Sequence, residues 1–439
     1  MRCFSKQRLF ILKFMKIDSL FRLLCISLVG PLIYGCADAN QKSKESNRDF
    51  KKYPIGTECL LQPEELYTID IIASKEVSLE ELVDFQKGIR IVQIGQVPKN
   101  ALFGDITKLW TTRKNGIIFT DQELANKIYK IDNDGNLEWV IDETGAGPGE
   151  FQKLWSVQIN PYKSQIEVWD LSLRKFLFYD LNGEFINERS FDHEIVSFFP
   201  VNDRGWYAFH HDGRDHLGKK GNLITLSDPD LLYPIKKGVN EYGFVDTWLS
   251  QNEFDEYEGS TYFHHPLTDT IYWVGPVNGQ ICADYIIDFG NDALSVEAKS
   301  QVDLMKAAKV IQKEKSSYSL GDLKVGSTYL HFKWFSESEN KQFFQIVDRL
   351  AYGSYKIPQE DMSLWGIYFD KVLNVDYQKI TLSAYPYKID KMVLQQKIRE
   401  LPSESALKGS LESIMKAEDP EKPLLIQLYL KHQKSDEVN

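Results

Sequence analysis

Cysteine is scarce in this chain, with five in 439 residues. Cys3, Cys25 and Cys36 lie near the start, so the body of the protein holds only Cys59 and Cys282. Two cysteines this far apart exclude a disulfide framework and match no metal-binding spacing. We expect two free buried thiols, and the alternative is a single bridge between them in an oxidising periplasm.

Catalytic motifs are also missing. The chain has no G-x-S-x-G and no H-E-x-x-H, and no cysteine lies in a known catalytic context. The stretch "GAGPGEF" at 145–151 is rich in glycine, but a dinucleotide fingerprint needs G-x-G-x-x-G at the start of a helix. We interpret this stretch as a turn that crosses from one sheet to the next. In it, Glu150 caps N–H groups and Phe151 packs in the core.

Basic residues are fewer than acidic residues in this chain. The chain has 52 basic and 63 acidic residues, a net charge of -11. Residues 1–35 carry six of the basic residues and one acid, so the rest of the chain has a net charge of -16. Such a surface repels a phosphate backbone, and nucleic acid is therefore excluded as an expected partner.

No apolar run is long enough for a confident membrane span. The longest follows a basic N-terminal stretch and is interrupted by Gly30 and Pro31, which predicts a lipoprotein signal peptide over residues 1–35. The segment "LIYGC" resembles the bacterial lipobox, and this resemblance implies a lipid on Cys36 that anchors the protein to a membrane. An ordinary signal peptide or an uncleaved anchor is the alternative. The polar residues 36–60 are predicted to form a flexible tether. We therefore expect the bacterial cell envelope, facing the periplasm or the cell surface.

A repeat runs along the remaining chain. Strand-like segments followed by glycine-containing turns begin at Ile128, Phe176, Leu223 and Ile271, which are 47 or 48 residues apart. A near-constant period with all-β content is typical of a propeller built from one four-stranded sheet per blade. The next equivalent strand begins at Gln342, and a helix inserted at 294–313 explains its later position.

The last part of the chain is expected to complete a six-bladed β-propeller over residues 61–431. It contains a second helical insertion near 388–416, a closing strand at 424–431 and a tail at 432–439. Propellers are usually sealed by pairing their first and last segments in one blade. We therefore expect the strand at 66–74 to share a sheet with the closing strand.

Motifs in the chain resemble those of a known family. The run "NKIYKIDNDGNLEWVIDETGAGPGEF" at 126–151 and the segment "IIDFG" at 286–290 resemble the six-bladed β-propeller lipoproteins of bacteria, relatives of NHL-repeat propellers. The resemblance covers roughly residues 60–431. It implies an all-β six-bladed propeller with small inserted helices, and it implies no agreed activity.

Four candidate site residues share one structural position. The predicted second strand of successive repeats ends in an acid or a histidine, at Asp121, Asp170, His211 and His265. These residue types are common metal ligands, but an aspartate at a strand end also commonly caps a turn. We expect no cofactor, with a divalent metal on this face of the propeller as the alternative. Phe254 and Tyr257, in an acidic and aromatic loop, are candidates for contact with a protein or glycan partner.

Two functions are consistent with these features. The first is a lipid-anchored, extracytoplasmic binding or scaffold module, which fits the repeat, the lipobox and the missing catalytic motifs. The alternative is a metal-assisted hydrolase of the lactonase type, or a lyase, which would need carboxylates and histidines converging on one ion. We expect a binding module rather than an enzyme.

Overall fold

The computed structural model describes most of residues 66–431. Outside the description lie residues 1–65, 96–97, 99–100, 113–115, 192–194, 204, 211–222, 228–252, 276–280, 302–303, 377, 404, 417–422 and 432–439. The signal peptide, Cys36, the tether and the tail therefore lie outside the described residues.

The chain begins with short elements that later join distant sheets. They are β1 (Tyr67–Asp70), β2 (Lys75–Glu76), α1 (Leu79–Leu82) and β3 (Ile89–Gln93). Ser78 starts α1 with a capping box, in which its hydroxyl accepts the N–H of Glu81 and the Glu81 carboxylate accepts the N–H of Ser78.

Three sheets follow in chain order. Sheet 1 contains β4 (Lys108–Thr111), β5 (Ile117–Asp121), β6 (Lys127–Ile131) and β7 (Leu137–Ile141). Sheet 2 contains β8 (Ser156–Asn160), β9 (Gln165–Asp170), β10 (Lys175–Asp180) and β11 (Phe185–Ser190). Sheet 3 contains β12 (Ser197–Pro200), β13 (Trp206–His210) and β14 (Leu223–Ser227).

Three further sheets complete the chain. Sheet 4 contains β15 (Phe254–Tyr257), β16 (Ser260–Phe263), β17 (Thr270–Val274) and β18 (Ile281–Asp288). Sheet 5 contains β19 (Ser317–Val325), β20 (Tyr329–Ser336), β21 (Lys341–Asp348) and β22 (Ser354–Pro358). Sheet 6 contains β23 (Ser363–Leu364), β24 (Ile367–Asp376), β25 (Lys379–Ile389) and β26 (Leu424–Tyr429).

The sheets form a ring. Each interface between successive sheets is filled by its own cluster of buried apolar side chains, and another cluster joins sheet 6 back to sheet 1. In that closing cluster Leu425 of β26 packs with Phe119 and Tyr129 of sheet 1. Antiparallel sheets packed face to face in a ring define a β-propeller, so the predicted all-β propeller fold is confirmed.

The number of complete blades differs from the prediction. Five of the sheets have four or more strands, as a full blade requires, whereas sheet 3 has three strands within the described part of the chain. Six complete blades are therefore not shown. Residues 228–252, which follow β14, lie outside the described residues.

The ring closes by pairing chain segments that are far apart in sequence. β26 pairs antiparallel with β3, with Leu424 opposite Gln93 and Leu428 opposite Ile89. The expectation that residues 66–74 share this sheet is wrong, because β1 pairs in parallel with β18, with Tyr67 opposite Tyr285. Alternating apolar residues predict that a segment forms a strand, but they do not predict which strand it pairs with. Several sheet edges could bury the apolar face of the same strand.

The helices lie between strands of the ring. α2 (Val296–Ser300) and α3 (Leu304–Glu314) connect sheets 4 and 5, and α4 (Lys391–Glu400) and α5 (Ala406–Met415) lie between β25 and β26. The Asp390 carboxylate caps α4 by accepting the N–H groups of Met392 and Val393. No helix in the described ranges is both long and apolar enough to cross a membrane.

The glycine-rich turn joins sheet 1 to sheet 2. The carboxylate of Glu150 accepts the N–H of Gly147 at 2.7 Å, and Phe151 is fully buried between the two sheets. Gly149 has a φ of +76°, which favours glycine. The prediction that this stretch is a scaffold turn, with Glu150 as a cap, is confirmed.

Cys282 is buried and disulfide-bonded. Its partner lies outside the described residues, as do all four other cysteines. The expectation of two free thiols is therefore wrong, because one of the two body cysteines forms a bridge.

Candidate functional site

Asp121 ends β5 and is fully buried. One carboxylate oxygen accepts the N–H groups of Gly104 at 2.8 Å and Asp105 at 3.2 Å, and the other accepts the N–H of Leu124 at 2.8 Å. Asp121 therefore holds both its own turn and the loop that leads into β4.

Asp170 repeats this arrangement at the end of β9. It is also fully buried, and it accepts the N–H groups of Gln152 at 2.5 Å, Lys153 at 3.3 Å and Leu173 at 3.0 Å. In both sheets a strand-end aspartate holds the loop that enters the same sheet. Backbone N–H groups occupy these carboxylates, so the turn-cap interpretation accounts for both residues.

His265, the predicted histidine that lies in the described part of the chain, differs from this pattern. His265 lies beyond the end of β16, and its Nε2 is 3.9 Å from Oε1 of Glu253. The other oxygen of Glu253 accepts a hydrogen bond from the hydroxyl of Ser197 at 2.9 Å. His211 lies outside the described residues. Within the described ranges, no group of three or more His, Cys, Asp or Glu side chains is arranged to hold a metal ion.

Phe254 and Tyr257 lie in β15 rather than in a loop. Phe254 is 4% exposed and its ring centroid lies 4.8 Å from that of Phe263. The predicted loop is therefore a strand at this residue, and contact of Phe254 with a partner stays a prediction. Tyr257 is partly exposed, and its hydroxyl donates to the carboxylate of Glu258 at 2.6 Å.

A cavity of about 180 Å³ lies at the centre of the ring. Each of the six sheets contributes at least one lining residue, from β4, β8, β12, β15, β19 and β24. One such residue from each sheet, in chain order, is Lys108, Gln158, Phe199, Asp255, Lys324 and Asn374. The cavity is therefore bordered by residues of all six sheets, and small ligands bind in concave sites of this kind.

A bulge in β19 places charged residues at this centre. The pairing of β19 with β20 shifts register twice, between Ser319 and Gly321 and between Gly321 and Lys324. Asp322 lies within the bulge with a φ of +60°, in the left-handed region that side chains rarely adopt. Bulges redirect side chains relative to a regular strand, and this one sets Asp322 and Lys324 beside the cavity.

Two lysines neutralise Asp322. Its carboxylate lies 2.8 Å from Nζ of Lys333 and 3.4 Å from Nζ of Lys324. Burial alone would raise the pKa of Asp322, but these ammonium groups hold its pKa well below the usual range. The neighbouring His331 is fully buried, and the loss of solvation lowers its pKa to about 3, so this ring is neutral.

Asp255 has a different environment. Burial raises the pKa of Asp255 to about 6, although Lys324 and the N–H of Val325 favour its ionised form. That N–H donates to the Asp255 carboxylate at 2.5 Å. Asp255 is partly accessible from the cavity, since the open space adjoins it.

Lys108 lines the cavity but was not among the site residues predicted from the sequence. It is 8% exposed, and in the described part of the chain no acceptor or carboxylate lies within bonding distance of its Nζ. Burial first, and then the charge of Lys324, lower the pKa of Lys108 to about 7. A lysine at the start of a strand normally extends into solvent, so no local signal marks this one.

Gln158 is a second unsatisfied group in the cavity lining. It is 1% exposed, and its Nε2 has no hydrogen-bond partner among the described residues. Most buried polar groups in proteins are hydrogen-bonded. Lys108 and Gln158 therefore leave the cavity with donors that a bound molecule could satisfy.

The ring of sheets and its polar central cavity define the protein as a β-propeller. The family described as "Domain of unknown function (DUF4934)" matches residues 66–404, which is most of the chain, and the chain belongs to this family. The relation to NHL-repeat propellers stays a prediction.

Solved structures are similar to this chain at low sequence identity. A protein from Bacteroides fragilis NCTC 9343, named as a candidate for export, matches with a TM-score of 0.64 and 15% identity, over 84% of this chain and 100% of its own. A duf4221 family member from Bacteroides vulgatus matches with a TM-score of 0.42 and 14% identity, over 78% and 98%. BamB from Moraxella catarrhalis has a TM-score of 0.29 and 11% identity, over 69% and 78%. The first likeness supports the fold alone. No curated protein matches the chain.

Proposed function

We propose that the protein is an exported, lipid-anchored, six-bladed β-propeller that binds a ligand in its central cavity. In this proposal sheet 3 counts as one of the six blades. The regular spacing of the predicted strands and the contribution of all six sheets to one cavity support this count. The "LIYGC" segment supports a lipid on Cys36.

The bridge at Cys282 supports export. Disulfides persist in oxidising compartments such as the periplasm and are rare in the cytosol. A disulfide-bonded cysteine in the ring therefore favours the cell envelope over the cytoplasm.

The cavity is the observation that carries the binding role. Its lining combines the aromatic rings of Trp110, Phe199 and Phe254 with several polar and charged side chains, and Nε2 of Gln158 has no hydrogen-bond partner among the described residues. A concave site with convergent polar groups is a candidate ligand site. A metal-assisted hydrolase or lyase is less well supported, because backbone N–H groups already occupy the carboxylates of Asp121 and Asp170.

Membrane fractionation tests the anchor. We expect the parent protein in the membrane fraction and the Cys36→Ser variant in the soluble extract. If the variant stays in the membrane fraction, Cys36 does not carry the lipid anchor. This result would not affect the proposal that the central cavity binds a ligand.

A thermal-shift screen of small polar and apolar compounds tests the binding role. Ile159 lines the cavity, so Ile159→Trp should fill it, whereas Ile186 on β11 is 43% exposed and Ile186→Trp is a matched control. Compounds that raise the melting temperature of the parent and the control, but not of Ile159→Trp, support the proposal. If no compound acts, or if Ile159→Trp responds like the parent, the central cavity is not a binding site.

A further inference from the structure

The unsatisfied groups in the cavity are donors. Nζ of Lys108 and Nε2 of Gln158 come from neighbouring sheets, and both side chains are more than nine-tenths buried. Neither atom has a partner among the described residues. A ligand that fills this cavity must therefore offer acceptor atoms to these donors.

The other charged groups of the lining already have partners. Asp255 accepts the N–H of Val325 at 2.5 Å, and Glu256 accepts the N–H of Gly259 at 2.7 Å. Lys324 donates to the carbonyl of Leu323 at 3.1 Å and to Asp322. The carboxylates are thus held by the protein. Nζ of Lys108 has no bonding partner in the described part of the chain, although the more distant Asp255, Glu253 and Asp322 favour its charged form.

Besides the polar Thr111 and Asn374, the remaining lining residues are apolar, and the volume of the cavity limits the size of the ligand. Leu109, Phe199, Phe254 and Leu373 are all less than one-tenth exposed and line the same cavity. A dry cavity of about 150 Å³ accepts benzene, so a volume of about 180 Å³ suits roughly six to nine non-hydrogen atoms. Inorganic phosphate would leave these apolar side chains without contact.

We propose that the cavity binds a small organic carboxylate, an inference that rests on the proposed function. Its carboxylate accepts hydrogen bonds from Nζ of Lys108 and the amide of Gln158, and its short apolar body packs on Phe199 and Phe254. The ion pair with Lys108 strengthens the hydrogen bond, because charge-assisted hydrogen bonds are stronger than neutral ones.

Isothermal titration at pH 6 tests this assignment with defined probes. Butyrate and benzoate are compared with their isosteric neutral amides, butyramide and benzamide, and with inorganic phosphate. We expect one of the carboxylates to bind about tenfold or more tightly than its amide, because the amide lacks the charge. Phosphate should not bind. Equal affinity for acid and amide, or binding of phosphate alone, overturns the proposal.

Variants localise the effect. Lys108→Met should weaken carboxylate binding about tenfold or more, and Gln158→Leu should weaken it to a smaller degree. Lys341→Met is the matched control, because Lys341 is 40% exposed and pairs with Glu360 at 2.8 Å away from the cavity. Carboxylate binding that survives Lys108→Met in a folded variant overturns the proposal. If the Lys108→Met variant fails to fold, the Gln158→Leu variant provides the test. Unchanged carboxylate binding by Gln158→Leu then overturns the proposal.

The two proposals fail in different ways. If neutral compounds bind the parent and lose binding in Ile159→Trp while carboxylates show no preference, the carboxylate assignment fails and the cavity remains a binding site. If neither class binds, both proposals fail.

Discussion

The carboxylate of Asp322 lies 2.8 Å from Nζ of Lys333, on neighbouring strands of sheet 5, and both side chains are at most 15% exposed. Nζ of Lys333 also lies 4.9 Å from the ring centroid of Phe344. Because a bulge and a left-handed residue are needed to bring Asp322 here, the pair is a specific feature of this sheet. It helps to neutralise the positive charge on one side of the central cavity.

Removing one member of this pair should destabilise the fold. Asp322→Asn leaves the ammonium of Lys333 buried without its counter-charge, and breaking a buried pair costs about 3–5 kcal/mol. Lys333→Met added to Asp322→Asn should recover part of the loss. Urea unfolding of the three proteins measures this, and a double variant no more stable than Asp322→Asn would contradict the pairing.

The same pair should contribute to acid sensitivity. The pKa of Asp322 is lowered in the folded state from 3.8, so its stabilising contribution is present above about pH 4 and is lost as pH falls below that value. The unfolding free energy of the parent should therefore fall more steeply than that of Asp322→Asn between about pH 4 and pH 2. Parallel curves would show that Asp322 is not held in its ionised form.

Lys108 should also make stability rise with pH, but over a higher pH range. Its folded pKa of about 7 lies below the value of 10.5 expected when unfolded. Between these values the unfolded chain binds more protons, so stability rises with pH. The parent should gain stability relative to Lys108→Met from about pH 7 to pH 10, measured by urea unfolding at both ends. A constant difference between the two proteins would show that Lys108 is solvated like a surface lysine.

Asp121 and Asp170, at the ends of their strands, should stabilise the fold by accepting backbone hydrogen bonds. Asp121→Ala and Asp170→Ala each leave three backbone N–H groups without their acceptor, and we expect a loss of about 1–3 kcal/mol for each. Asp134, on the exposed hairpin turn between β6 and β7, is the control, and Asp134→Ala should change stability by less than about 0.5 kcal/mol. Chelator treatment should not change the melting temperature of the parent, and a large drop on chelation would restore the metal hypothesis.

Local features of the chain were predictable because they depend on near neighbours. The hairpin turns of sheets 1 and 2 are held by Asp132, which accepts the N–H of Asn136 at 2.8 Å, and Asp180, which accepts the N–H of Glu184 at 2.9 Å. Such turn chemistry recurs with each repeat and is visible in the sequence. It supports strand positions, the repeat period and the fold class.

The site was not predictable in this way. Lys108 and Gln158 become buried and unsatisfied only because six strands from across the chain converge on one cavity. Their sequence neighbourhoods resemble ordinary strands. The bulge at Asp322 likewise depends on pairing between β19 and β20. Histidines and strand-end acids attract attention in a sequence, yet Asp121 and Asp170 are occupied by local turns.

The pairing of β26 with β3 gives a test of ring closure. Deleting residues 424–439 removes β26 and exposes the backbone edges of β3 and β25, together with apolar side chains such as Ile426 and Leu428 that are at most 1% exposed. Exposed strand edges with an apolar face promote aggregation, so we expect insoluble protein or loss of the cooperative melting transition. Deleting only residues 432–439 is the matched control, because it leaves β26 and the bridge of Leu430 to Val83 intact. Solubility and circular dichroism melting of both truncated proteins show whether β26 is needed to close the ring. A protein without β26 that melts like the control would show that β3 and β26 do not hold the ring together.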